Sequence, residues 1–168
     1  MYQTRNNNFF HGIMFHHFHD DKFHTRGQGS ISKDDFYRII KFIGKKNILD
    51  AQVFFEKFKE NKLLSNEVCF TFDDSIKCQV DIALPILEDL KIKSFFFIYT
   101  SIFENKPDNL EIFRYFRMNY FKNVEDFYKD FYKTLDKDLN LFFKKNEEEI
   151  RKKKIKHPNY STEDVKFR

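Results

Sequence analysis

The sequence predicts an α/β fold in which parallel strands are covered by helices, and three observations carry that expectation. Val68, Phe70 and Phe72 alternate with Cys69 and Thr71 in an apolar run that stops abruptly at Asp73 and Asp74, the pattern of a strand buried on both faces. Ser94 to Tyr99 forms a second short apolar run. Between the two, Val80, Ala83, Leu84, Leu87 and Leu90 recur at helical spacing. A strand, helix, strand unit of this length crosses over right-handedly and sets its two strands parallel.

In chain order, the first helix is predicted to start at Ser32, which forms a capping arrangement with Asp35 three residues on. Phe36, Ile39, Ile40 and Ile43 then make a stripe at three- and four-residue steps. A second helix over Asp50 to Lys62 carries Val53, Phe54 and Phe58 and delivers the chain to the strand that ends at Asp73. The helix after that strand tolerates Pro85 only if it begins within about a turn before it. Beyond Thr100, Asp108 is placed to cap a helix with Ile112, Phe113 and Phe116, and Asn123 one with Val124, Phe127, Phe131 and Leu135; both stripes read as core or lid. Lys144 to Lys156 carries both signs, with Glu147 and Glu148 four residues before Arg151 and Lys152, and reads as a solvated helical face. From Lys156 to Arg168 the tail is polar.

A chain of 168 residues buries one substantial core, and four glycines and three prolines leave no flexible linker to join a second, so a single domain over 1–168 is expected. The 24 phenylalanines without a tryptophan read as compositional bias, not as function. A net charge of +4, with the lysines spread among acidic residues, gives no electrostatic footprint for nucleic acid. Cys69 and Cys78 lack metal-type spacing and read as reduced thiols. The first eight residues lack the apolar core of a signal peptide and no apolar stretch approaches the length of a membrane span, so no transmembrane segment and a cytoplasmic location are expected.

Asp73 and Asp74 are the most informative residues. At the C-terminal end of a parallel strand they lie where ligands and catalytic groups collect, and two adjacent carboxylates repel unless a cation or a proton is near. Phe70-Thr-Phe-Asp-Asp-Ser75 resembles the first motif of the polysaccharide deacetylase family (the NodB homology domain), which reads Thr-Phe-Asp-Asp-Gly. Ala83-Leu-Pro-Ile-Leu-Glu-Asp-Leu-Lys-Ile-Lys-Ser-Phe-Phe-Phe97 is similar to that family's following helix and second strand. Gly12-Ile-Met-Phe-His-His17 resembles its opening strand, and Gly29-Ser-Ile-Ser-Lys-Asp-Asp-Phe36 its next helix start. The resemblance covers residues 10–100 and implies an N-terminal part of a (β/α) barrel of the polysaccharide deacetylase type: an α/β core over 10–100, a helical insertion over 101–150 after the second motif strand, and a polar tail over 151–168.

What the resemblance implies chemically is metal-dependent removal of an acetyl group from an N-acetylated carbohydrate or polysaccharide precursor. By family position Asp73 is the base that takes a proton from water and Asp74 is a ligand of a divalent metal, zinc or a similar first-row ion. The family's two histidine ligands come from a His-Ser/Thr-x-x-His motif that this sequence lacks; after Thr100 its only histidine is His157. The family's later motifs are missing too, and Ser75 replaces a glycine, which matters if that position needs a positive φ. The isolated chain is therefore expected to release no acetate, either as the leading part of a larger domain or as an inert carbohydrate-binding or interaction protein on the same scaffold. Five of the six histidines lie between His11 and His24. One of them, His16 or His17 foremost, is expected at the barrel mouth beside the aspartates; the sharper alternative is a substitute metal site drawn from His16, His17 and His19 with Asp74, since His17 and His19 share one face of a strand. Tyr115, Tyr120, Tyr128 and Tyr132 read as packing first and as rings for sugar faces second, and the insertion is placed to lie over the mouth or to support a homodimer.

Overall fold

The computed structural model describes residues 11–27, 29–135 and 137–156. The tail from 157 onward, His157 included, lies outside the described residues, as do the first ten. The chain divides after Ile112 into two compact units.

The first unit is mixed α/β, and every strand pairing in it is parallel. β1 (Gly12–Phe15), β4 (Cys69–Phe72) and β5 (Phe95–Phe96) form one sheet in the order β1-β4-β5, and β2 (Phe18–His19) pairs with β3 (Ile31–Ser32) in another. The described strands thus lie in two small sheets and do not close into a ring. α1 (Lys33–Ile43) follows β3, α2 (Ala51–Lys59) precedes β4, and α3 (Leu84–Asp89) links β4 to β5.

α1 starts where the sequence places it. Ser32 accepts from the Asp35 N–H while the Asp35 carboxylate takes the Ser32 N–H at 2.9 Å, a complete capping box. Phe36 and Ile40 are buried, with Ile39 and Ile43 packed beside them. The rings of Phe15, Phe18, Phe36, Phe70 and Phe72 meet at centroid separations of 5.0 to 6.1 Å, many of them edge to face. Burying each such ring is worth about 1.5–3 kcal/mol, and tilted contacts add to that, so phenylalanines that read as compositional bias form the centre of the core.

Three expectations are corrected. In α2, Val53 and Phe58 are more than two-fifths exposed; the helix turns Ala51, Phe54 and Lys57 inward instead, because Lys57 pairs with the buried Glu67 carboxylate. In the crossover helix, where a π-helical turn over Gln79–Ala83 runs into α3, Gln79, Ile82, Ala83, Ile86 and Leu87 are buried while Val80 is exposed. Pro85 sits in the first turn of α3, but the helical backbone already begins at Lys77, earlier than the single turn expected, with the π-helical turn directly before Leu84. The second strand is only Phe95–Phe96, since β4 turns away after Phe72 and leaves residues beyond Phe97 no ladder to join.

α4 (Asn109–Tyr120) opens on Asp108, whose Oδ1 accepts from the Leu110 and Glu111 N–H groups, as predicted. The second unit holds the rest of α4 with α5 (Val124–Thr134), α6 (Lys137–Lys145) and α7 (Glu147–Lys156). Asn123 caps α5 by accepting from Asp126 N at 2.8 Å. Phe127 is buried there among the rings of Phe113, Phe121 and Phe131, at 5.2 to 5.7 Å. Ile112, Phe113 and Phe116, expected as core or lid, are each more than two-fifths exposed. On α7 the Glu148–Lys152 pair stands in solvent at 3.4 Å, the predicted charged face.

Candidate functional site

The site forms where two parallel strands end together. β1 and β4 pair in register through Phe15 and Phe72, and the Asp73 N–H extends the ladder by one bond to Phe15 O at 3.2 Å. His16 and Asp73 therefore leave the sheet side by side although they are far apart in sequence. His16 Nε2 lies 3.6 Å from Asp74 Oδ2 and 4.0 Å from Asp73 Oδ2. The three side chains are 28% to 38% exposed, so solvent reaches them without their being loose surface groups. One imidazole thus lies within 4.0 Å of both neighbouring carboxylates.

After Asp73 the backbone turns sharply. Asp74 and Ser75 both take left-handed conformations, with φ of 72° and 53°. Ser75 Oγ donates to Phe97 O at 3.4 Å, which ties the motif turn to the end of β5, and Phe97 and Tyr99 beside it are exposed rings. Beneath the turn lies Gln79, whose Nε2 donates to His16 O at 2.9 Å and to Asp73 O at 2.5 Å. Asp73 Oδ1 and Gln79 Oε1 are buried and have no hydrogen-bond donor among the described residues. Next to Gln79, Cys78 Sγ accepts the Phe18 N–H at 3.3 Å, and burial pushes its thiol up, as burial pushes that of Cys69 to about 11. Neither sulfur is a ready ligand or nucleophile in that state.

The other histidines engage elsewhere. His17 Nε2 donates to Glu111 Oε1 at 3.2 Å, linking the segment after β1 to the first turn of α4. His19 is buried, and its Nδ1 donates at 3.0 Å to Ser30 Oγ, whose own hydrogen goes to Gly27 O. His24 joins Asp81 at 2.7 Å, and His11 donates to Glu67 O at 2.6 Å at the opposite end of the sheet. Of the three candidate histidines, the structure thus brings His16 to the aspartates.

Asp74 Oδ2 and His16 Nε2, 3.6 Å apart, are a carboxylate oxygen and an imidazole nitrogen, donor types that zinc-like ions take. Among the described residues no set of three or more His, Cys, Asp and Glu side chains is spaced to hold an ion, so the chain offers a donor pair and not a closed cage.

Sequence reasoning missed Gln79 and Glu111. Gln79 is in phase with Ile82, Ala83 and Ile86 at ordinary helical steps of three and four, so a polar residue on that apolar stripe was the available signal. Glu111 follows its cap by three residues, and nothing in its surroundings points to His17.

No helix among the described residues is long and apolar enough to cross a membrane. No protein-family model matches the chain, and no curated protein matches it. Among solved structures the chain is similar to a de-N-acetylase from Aggregatibacter actinomycetemcomitans, with 16% sequence identity and a TM-score of 0.46 over 56% of this chain. The match spans 39% of the length of that protein.

Proposed function

We propose that this chain is a metal-dependent, deacetylase-like hydrolase that removes acetyl groups from an N-acetylated carbohydrate or polysaccharide precursor, on an open part of a (β/α) barrel. The observation that carries the reading is the 3.6 Å approach of His16 to Asp74, which supplies beside the motif aspartates a nitrogen donor where the family's histidine pair is missing. Asp74 and His16 would hold a divalent ion, zinc or a similar metal, whose chemistry is to polarise the acetyl carbonyl and acidify water. Asp73 would be the base: its side chain is 28% exposed and its Oδ2 lies on the His16 side, where an attacking water can give up a proton. The exposed rings of Phe97 and Tyr99, tied to the motif turn through Ser75, offer flat faces for a sugar ring.

A second reading is an inert carbohydrate-binding or interaction protein on the same scaffold. It is favoured by the same contact, because His16 and the two aspartates lie together without being spaced, among the described residues, as a set of three that could hold an ion. Incubating the full chain with N-acetylglucosamine oligomers, with and without added Zn²⁺ or Co²⁺, and measuring acetate and free amine separates the two. Metal-dependent release that Asp73→Asn abolishes supports the hydrolase; oligomer binding with no release under any metal supports the inert protein.

A further inference from the structure

Gln79 joins the two strand ends on which the site stands. It is 1% exposed, and its single NH2 group donates to His16 O at the end of β1 and to Asp73 O at the end of β4. The β1–β4 ladder stops at these residues, so the backbone positions that carry the imidazole and the carboxylates have left the sheet that aligns Phe15 with Phe72. The side-chain amide takes over where the ladder ends. Its orientation is fixed, because two carbonyl oxygens converge on the nitrogen and would repel the amide oxygen in its place.

That arrangement is not what stability alone selects. Oε1 is left buried with no donor among the described residues, a cost that an apolar side chain in phase with Ile82, Ala83 and Ile86 would avoid. Gln79 opens a π-helical turn, and such turns gather at functional sites.

We propose that Gln79 is a positioning residue that sets the distance between the His16 imidazole and the Asp73 and Asp74 carboxylates by holding the His16 and Asp73 carbonyls on one amide. The proposal rests on the reading that these three side chains form the reactive centre. Ile82, buried on the same turn, is the control for plain loss of packing.

NMR on the metal-free full chain tests it directly. In the wild type, scalar couplings across hydrogen bonds are expected from Gln79 Nε2 to the carbonyl carbons of both His16 and Asp73; absence of both overturns the proposal without any variant. In Gln79→Met, which keeps length and volume, the His16 ring signals are expected to move while those of His11 and His19 stay. Unmoved His16 signals, or an equal movement in Ile82→Val, overturn it. Co²⁺ affinity is expected to fall about 10–100-fold in Gln79→Met, as for loss of a group that orients a ligand, and to hold in Ile82→Val. A wild type that binds no Co²⁺ overturns the metal reading of the site, while the couplings and ring signals still decide the role of Gln79.

Discussion

Asp74 and Ser75 stand side by side in left-handed conformations, φ 72° and 53°, directly after the strand that presents Asp73. Aspartate tolerates this region better than most residues, because its short carboxylate bonds locally; serine does so less readily. Two such residues in succession reverse the chain within one step, and the reversal is what leaves both carboxylates at the strand end facing His16. The backbone conformation for which glycine is suited is therefore present in a chain that has serine there.

Ser75→Gly is expected to stabilise the protein. Relief of the left-handed conformation is worth about 1–2 kcal/mol, and the greater freedom of glycine in the unfolded chain takes back about 0.4–1 kcal/mol. The weak Ser75 Oγ bond to Phe97 O, 3.4 Å and exposed, adds little to the loss. A net gain of about 0.5–1 kcal/mol should appear in the urea midpoint, with Ser75→Ala showing none. A Ser75→Gly protein less stable than the wild type would show that the turn is not strained.

The His17–Glu111 contact anchors the start of α4 within the first unit. His17 and Glu111 side chains are 14% and 24% exposed, so the pair is screened less than a surface ion pair. Glu111→Ala is expected to cost about 1 kcal/mol and to speed amide exchange in the first turn of α4 about 5-fold, while Glu111→Gln, which keeps an acceptor, loses less. Unchanged exchange in Glu111→Ala would mean that the Asp108 cap alone holds the turn.

How much was legible follows from the range over which each feature is determined. Ser32 with Asp35, Asp108 and Asn123 act on amides two or three residues away, so the helix starts could be read from the chain itself. The Val68–Phe72 run could be read because burial on both faces leaves Thr71 as its one polar side chain and excludes charge until Asp73. Val53 and Phe58 misled because periodicity does not see Lys57 reaching a buried Glu67 from the same helix. In the crossover helix Val80 misled because Val80-Ala83-Leu84-Leu87 and Gln79-Ile82-Ala83-Ile86 both satisfy the helical period, and tertiary packing decides between them. At the site the two aspartates were visible as a motif. That His16 and not His17 meets them depends on the Phe15–Phe72 register, and register is a long-range property.

Phe36 is the test of the aromatic core. It is fully buried and touches the rings of Phe15, Phe18, Phe70 and Phe72 at 5.0 to 6.1 Å. Phe36→Ala is expected to cost about 3–5 kcal/mol, seen as a lower urea midpoint. Phe42→Ala six residues on, where the ring is 92% exposed, should change stability by no more than about 0.5 kcal/mol. Equal losses at the two positions would contradict the packing described.

Glu67 ties folding to pH. Burial by itself would raise its carboxyl, but the Leu64 N–H at 2.9 Å and the Lys57 ammonium outweigh burial and hold it below the usual glutamate range. A carboxyl lowered on folding stabilises the folded state when ionised. Its contribution is complete above the unfolded value of about 4.3 and is lost as pH falls through the folded value. Glu67→Gln keeps an acceptor for Leu64 and removes the charge, so the wild type should exceed it in stability near neutrality, and the gap should close progressively below about pH 4. Urea unfolding of both proteins from about pH 7 to about pH 3 measures the gap. A gap that stays constant over that range would assign Glu67's contribution to packing and hydrogen-bond shape, with its charge playing no part.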